Sequence, residues 1–144
     1  MRLTAHTDYA IRVLIFVAIR ERGHGTIRDI AEAYGISRNH LMKVVHELQQ
    51  HGYLKTIRGK GGGVVLARAP EQINLGQVVR DMEPDLALVE CFRADNQCVI
   101  TPDCQLKTML NDALQAFLAT MDHYTLKDMT ANDAPALRRH LRLI

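Results

Sequence analysis

Tryptophan is absent from this 144-residue chain, and aromatic residues make up only 5% of it. So few rings exclude a base-stacking platform of the kind that grips single-stranded nucleic acid. Long apolar runs are missing too. The longest, Val13 to Ile19, falls well short of the roughly 20 residues that a membrane-spanning helix needs. It lies between Arg12 and Arg20 with no small-residue cleavage site behind it, so it does not read as a signal peptide, and a cytoplasmic protein with no membrane partner is expected. The order G-x4-G-K-[ST] does not occur, which excludes a phosphate-binding loop of that type. The histidines are scattered without metal or triad spacing, and no base is placed beside a thiol, so an enzyme is not expected. Internal repeats and low-complexity segments are also lacking.

Cysteine is scarce and confined. All three stand in one stretch, as Cys91, Cys98 and Cys104, with the spacing C-x6-C-x5-C. One disulfide would leave a thiol over, and a reducing compartment disfavours disulfides. Three thiolate ligands on one metal centre explain this confinement better than unrelated cysteines in a loop. Thiolates select zinc, copper(I) or an iron–sulfur cluster. Zinc sites more often use a tight C-x2-C pair; wide gaps suit a larger object whose corners are reached separately.

Charge is uneven. Residues 1–68 hold eleven Lys and Arg against five Asp and Glu, a balance of +6. Residues 69–144 hold seven against eleven, a balance of −4. An anionic partner for the first half alone fits this division.

The hydrophobic pattern shows what that half can do. Thr7 is placed as an N-cap with Asp8 in the first turn, and Ile11, Leu14, Ile15 and Ala18 come after it at helical spacing. Val13, Phe16 and Val17 make the other faces apolar, so this helix is buried on two sides. Gly23 and Gly25 end it. Thr26 and Asp29 form a capping box for a short second helix with Ile27, Ile30, Ala31 and Tyr34 inward. Gly35 stops it, and Ser37 caps a third helix whose buried stripe is Leu41, Val44, Val45 and Leu48. Arg38, Asn39, His40 and Lys43 are left on its outer side. Two short helices across a tight Gly turn, the second with polar and basic groups at its start, make a helix-turn-helix. A plain helical hairpin with a solvated basic face is the alternative. The hairpin after the third helix favours DNA. Leu54 to Arg58 and Gly63 to Arg68 alternate as two strands around the turn Gly59-Lys60-Gly61-Gly62, a wing with a small basic tip suited to phosphate.

The second half begins with a short helix, Leu75 to Met82, closed by Glu83-Pro84-Asp85. After the cysteines, Thr101-Pro102-Asp103 opens a long helix with Thr as N-cap and Pro at its first position. Cys104 falls in its first turn, where the dipole favours a thiolate. Leu106, Met109, Leu110, Ala113, Leu114, Phe117, Leu118 and Met121 form an unbroken stripe. About twenty helical residues span roughly 30 Å, and a two-fold partner is the simplest cover for so long a stripe. The tail from Thr130 to Ile144 reads as loose. The expected fold is mainly α with a small β-hairpin. It divides into a winged helix-turn-helix over 1–74, a connecting helix and cysteine loop over 75–100, and a dimerisation helix with tail over 101–144.

Taken together these parts resemble a known family. The helix opening at Thr7-Asp8-Tyr9-Ala10, the segment Ser37-Arg38-Asn39-His40-Leu41 and the wing Arg58 to Gly63 are matched in order. So are Val78-Val79-Arg80, Glu83-Pro84 and the cysteines ending in Ile100-Thr101-Pro102-Asp103-Cys104. The chain is similar, over residues 1 to about 128, to the iron–sulfur winged-helix transcription regulators, and among them to the nitric-oxide-sensing repressors. The resemblance implies a homodimeric repressor on double-stranded operator DNA with nitric oxide as its signal. It implies an iron–sulfur cluster, 4Fe-4S in preference to 2Fe-2S, on Cys91, Cys98 and Cys104. Cluster-assembly regulators of the same family have a His three positions after the third cysteine. Lys107 stands there in this chain and is a poor iron ligand. The nitric-oxide-sensing members have an acid where Asp8 stands, which makes Asp8 the expected fourth ligand, from the other subunit. DNA binding is expected of Arg28, Ser37, Arg38, Asn39, His40, Lys43, Arg58, Lys60, Gly61 and Gly62. A redox or cluster-assembly regulator of this fold, or a zinc-stabilised winged-helix protein, is the alternative.

Overall fold

Thr4 is the N-cap of the first helix, α1 (Ala5–Ile19), in the computed structural model, which describes all 144 residues. The cap expected at Thr7 is therefore corrected. Thr7 lies inside the helix, fully buried, and its hydroxyl donates to the carboxylate of Glu83. The same carboxylate accepts from the Thr4 N–H at 3.2 Å and from the Thr4 hydroxyl at 3.1 Å. A residue 79 positions away thus pairs the N–H and hydroxyl of the cap itself, leaving the Thr4 oxygen to accept from the Thr7 N–H. Local pattern cannot report such a partner.

Helix α1 is the axis of the main core. Ala10, Val13, Leu14, Phe16 and Val17 are fully buried on it. Burial on two sides, as its all-round apolar character requires, comes from the later helices and the sheet. Beyond it the chain forms β1 (His24–Gly25), a strand that the hairpin reading did not include. It pairs antiparallel with β3 (Gly63–Leu66), which pairs in turn with β2 (Leu54–Ile57), giving the order β1-β3-β2. Gly25 therefore sits in the sheet rather than ending the helix. A methyl group there would lie 2.7 Å from the Phe16 ring, so its smallness serves packing.

Helix α2 (Ile27–Tyr34) starts at the expected capping box of Thr26 and Asp29. It stops at Gly35, whose φ of +66° lies in the left-handed region that disfavours a Cβ. Ser37 caps α3 (Arg38–Gln50) by accepting from the His40 N–H at 3.1 Å. Leu41, Val44, Val45 and Leu48 face the core as read.

Helix α4 (Leu75–Met82) divides two apolar clusters. Val78 and Met82 enter the main core, and Val79 packs with Leu114 and Leu118 of α5 (Gln105–Asp122). Thr101–Asp103 forms a separate 3-10 turn, so the long helix starts later than expected and Cys104 is its N-cap. Leu114 and Leu118 are buried by this chain itself, against α4 rather than α1. Leu106 and Met109 remain 57% and 63% exposed.

The tail is not loose. It forms α7 (Ala134–His140), after a short helix α6 (Leu126–Thr130) that leads into it. Leu126 is fully buried in the main core, and its N–H donates to the Ile73 carbonyl at 2.9 Å. Arg138 donates to the Ile19 carbonyl at 2.5 Å, and Leu141 and Leu143 lie against the main core. The apolar residues of the tail are too widely spaced to give a helical stripe, but they meet a surface that the rest of the fold has already made.

Candidate functional site

Three elements form the positive face: the start of α3, the turn before it and the wing. Arg38, Asn39 and Lys43 are exposed on α3, and Arg58, Lys60 and Gly61 are exposed at the wing, with Gly62 half-buried. The Gly62 N–H closes the wing turn on the Gly59 carbonyl at 3.0 Å. Ser37 is exposed, but its oxygen is engaged as the cap of α3. Arg28 is exposed on α2 and paired to Glu32 at 2.8 Å, so DNA would compete with that carboxylate for it. This pairing, first as a hydrogen bond and then as a charge interaction, holds the guanidinium above its ordinary range.

His40 departs most from expectation. It is half-buried, with the Tyr9 ring edge-on at 4.8 Å between centroids and the His6 ring stacked at 5.8 Å. Its ring is therefore packed on α1 rather than projecting beside Arg38 and Asn39.

Between α3 and the wing runs an open groove of about 610 Å³, lined by Met42, Lys43, His46, Gln49 and Thr56 among others. Gln49 donates to the Thr56 hydroxyl and so ties the last turns of α3 to β2. Sequence reasoning missed this clasp. Alternation placed Thr56 on one face of a strand, but nothing local said which helix that face meets.

The cysteines occupy the other candidate site. All three thiols are free; Cys91 and Cys104 are half-buried and Cys98 is exposed. Local bonds shape the loop that carries them. Glu90 accepts from the Gln97 N–H at 2.7 Å, and Asn96 accepts from the Thr101 hydroxyl at 2.9 Å. Arg93 pairs with Asp85 at 3.2 Å. Phe92, next to Cys91, anchors the loop on the Val79, Leu114 and Leu118 cluster. Three reduced thiols on one short loop are, as a donor set, suited to a soft metal or an iron–sulfur cluster. No three His, Cys, Asp or Glu side chains of the one chain are grouped closely enough to hold a single metal ion. Asp8 belongs to the first turn of α1, where it pairs with Arg12 at 2.7 Å and stays about half exposed. Lys107 is exposed on α5. No helix is long and apolar enough to cross a membrane.

Comparison with known proteins agrees with this architecture. Residues 3–132 match the Rrf2 family, described as iron-dependent transcriptional regulators. The HTH-type transcriptional regulator NsrR of Bacillus subtilis is 55% identical over 134 residues, covering 92% of each chain. The regulator of the same name from Geobacillus kaustophilus is 49% identical over 144 residues, covering 99% of this chain and 97% of that one. Among solved structures, CymR, the global cysteine regulator of B. subtilis, superposes with a TM-score of 0.68 at 26% identity, covering 91% of this chain and 97% of that one. T. potens IscR superposes with a TM-score of 0.75 at 23% identity, covering 94% and 90%, which bears on the fold alone. With its helix-turn-helix, its wing and these relatives, the chain belongs to the Rrf2 family and is a DNA-binding transcriptional regulator rather than an enzyme.

Proposed function

We propose that this chain is a homodimeric, cytoplasmic repressor that senses nitric oxide through an iron–sulfur cluster, 4Fe-4S in preference to 2Fe-2S. The observation that carries the reading is the free-thiol loop, with Cys91, Cys98 and Cys104 set between α4 and α5. The identity to regulators named NsrR over nearly the whole chain supports it. The three thiolates would hold the cluster, with Asp8 of α1 as fourth ligand from the partner. When bound, it would supply an iron open to a small diatomic ligand, because an oxygen donor holds iron more weakly than thiolate does.

The chain's own residues carry the consequence. The uncovered Leu106 and Met109 face of α5 would form the seam between two copies. Glu83 ties the start of the cysteine loop to the first turn of α1, and Phe92 ties its middle to α5. Loss of the ligand bonds would free the loop between those ties and shift the two DNA heads. Paired reading helices must lie about 34 Å apart to enter successive major grooves, so a shift of a few ångströms weakens binding without unfolding the protein.

Anaerobic purification followed by titration with nitric oxide tests the reading. A brown protein that releases operator DNA on titration supports it. A colourless, zinc-containing protein returns the site to a structural role. A brown protein that ignores nitric oxide but responds to oxidant or iron supply is instead a redox or cluster-assembly regulator; the exposed Lys107, where such regulators have a His, weighs against that outcome.

A further inference from the structure

The first turn of α1 grips α3 at two points two helical turns apart. His6 Nε2 lies 2.6 Å from Glu47 Oε2, near the end of α3. At the start of α3, the His6 ring stacks on His40 at 5.8 Å with 23° between planes, and Tyr9 meets the same ring edge-on. Elsewhere along α3, Leu41, Val44 and Leu48 share one apolar core with α1. Apolar packing is non-directional and leaves small rotations and slides of one helix on another soft. A short bond between a ring nitrogen and a carboxylate is directional, and a stacked ring pair fixes orientation. Glu47 has one other ring nitrogen within reach, His51 Nε2 at 4.0 Å. His6 is therefore the closest anchor for this carboxylate.

We propose that His6 is a positioning residue of the DNA-reading helix: through Glu47 and His40 it fixes the rotation of α3 on α1, and so the register at which Arg38 and Asn39 meet base edges. The proposal rests on DNA reading by α3 but needs no cluster. It also accounts for the half-buried ring of His40, which serves as a bearing surface rather than a base contact. His6 and Tyr9 flank Asp8 on the same turn, so any displacement of that turn reaches α3 through this contact.

The test uses the full chain and two duplexes of equal length: one enriched by the wild-type protein from a random-sequence pool, and one unrelated. Both affinities are measured at one fixed salt concentration, since phosphate contacts make them salt-dependent. His6→Ala is expected to weaken the enriched duplex about tenfold while the unrelated one changes less than about twofold, because register affects base contacts and not the phosphate attraction. His6→Gln, which can still donate to Glu47, is expected to recover all but about threefold of that loss, and Glu47→Ala added to His6→Ala should cost nothing further, as for residues of one unit. Glu47→Ala alone carries the same expectation should His6→Ala fold poorly. An unchanged ratio of the two affinities in His6→Ala and Glu47→Ala overturns the proposal, as do additive effects of the pair. A wild-type protein that enriches no sequence overturns DNA reading by α3, and this inference with it.

Discussion

Arg80 of α4 grips both carboxylate oxygens of Asp122, at 2.6 and 2.8 Å, and so pins the end of α5 to the helix that separates the two apolar clusters. The hydrogen bonds from Arg80, and then its charge, hold the Asp122 carboxyl below the ordinary carboxylate range. A depressed folded-state pKa stabilises the fold above the unfolded pKa, near 4, and the contribution is lost as pH falls through the lower folded value. The melting-temperature gap between wild type and Asp122→Asn should accordingly stay constant from neutrality down to about pH 5 and close below about pH 4. A gap that persists at lower pH would mean that the substitution acts by shape rather than charge. The pair is partly exposed to solvent, so the gap should also narrow with added salt.

Gly76 faces the same carboxylate. A methyl group there runs into the Asp122 side chain and lies 2.9 Å from its backbone nitrogen. Alanine favours a helix over glycine by about 1 kcal/mol, yet Gly76→Ala should lose about 1–3 kcal/mol of stability in chemical denaturation, because a crowded contact outweighs propensity. A stabilised Gly76→Ala protein would show that α5 can move aside at no cost.

The two sides of α5 should separate folding from assembly. Leu114 is buried against Val79, so Leu114→Ala should cost about 2–5 kcal/mol of stability and leave the oligomeric state of the folded protein unchanged. Met109 is 63% exposed, and Met109→Glu should keep the monomer's melting behaviour while light scattering shows dissociated protein. A fully dimeric Met109→Glu variant would move the seam elsewhere.

Replacing Cys91, Cys98 or Cys104 with Ser should each give a folded but colourless protein, since none of the three lies in either buried cluster. Iron content and circular dichroism measure the two halves of that statement. Asp8→Ala should shorten the lifetime of the coloured form in air and alter its visible spectrum, while apo-protein stability moves by no more than about 1 kcal/mol, the scale of an exposed ion pair and a helix-end charge. An unaltered spectrum and lifetime would reduce Asp8 to its pairing with Arg12.

Arg38→Ala or Asn39→Ala should each cost about 1–3 kcal/mol on operator DNA and relax specificity, whereas Lys60→Ala should weaken all duplexes alike and flatten the salt dependence. Band-shift titrations at several salt concentrations distinguish the two. Operator affinity left intact by both α3 substitutions would assign the reading to another element.

Where the information is local, the sequence by itself was enough. Thr26, Gly35 and Ser37 mark the boundaries of α2 and α3 through caps and a left-handed turn, which depend on a few neighbouring residues. The wing is legible from alternation around its glycines, and the crowding of all three cysteines in one loop is visible in their spacing alone. Tertiary structure decided the rest, because the partner in each case lies far along the chain. Thr4 rather than Thr7 starts α1 because Glu83 holds the Thr4 N–H and both threonine hydroxyls, while the Thr4 side chain accepts from the Thr7 N–H. Strand β1 exists because β3 offers it an edge. The tail folds because Ile19 presents a carbonyl to Arg138 and the main core receives Leu141 and Leu143. A single apolar stripe on α5 divides into a buried and an exposed side only once α4 has covered Leu114 and Leu118. A side chain's type limits which contacts it can make, but the folded chain determines which of those contacts form.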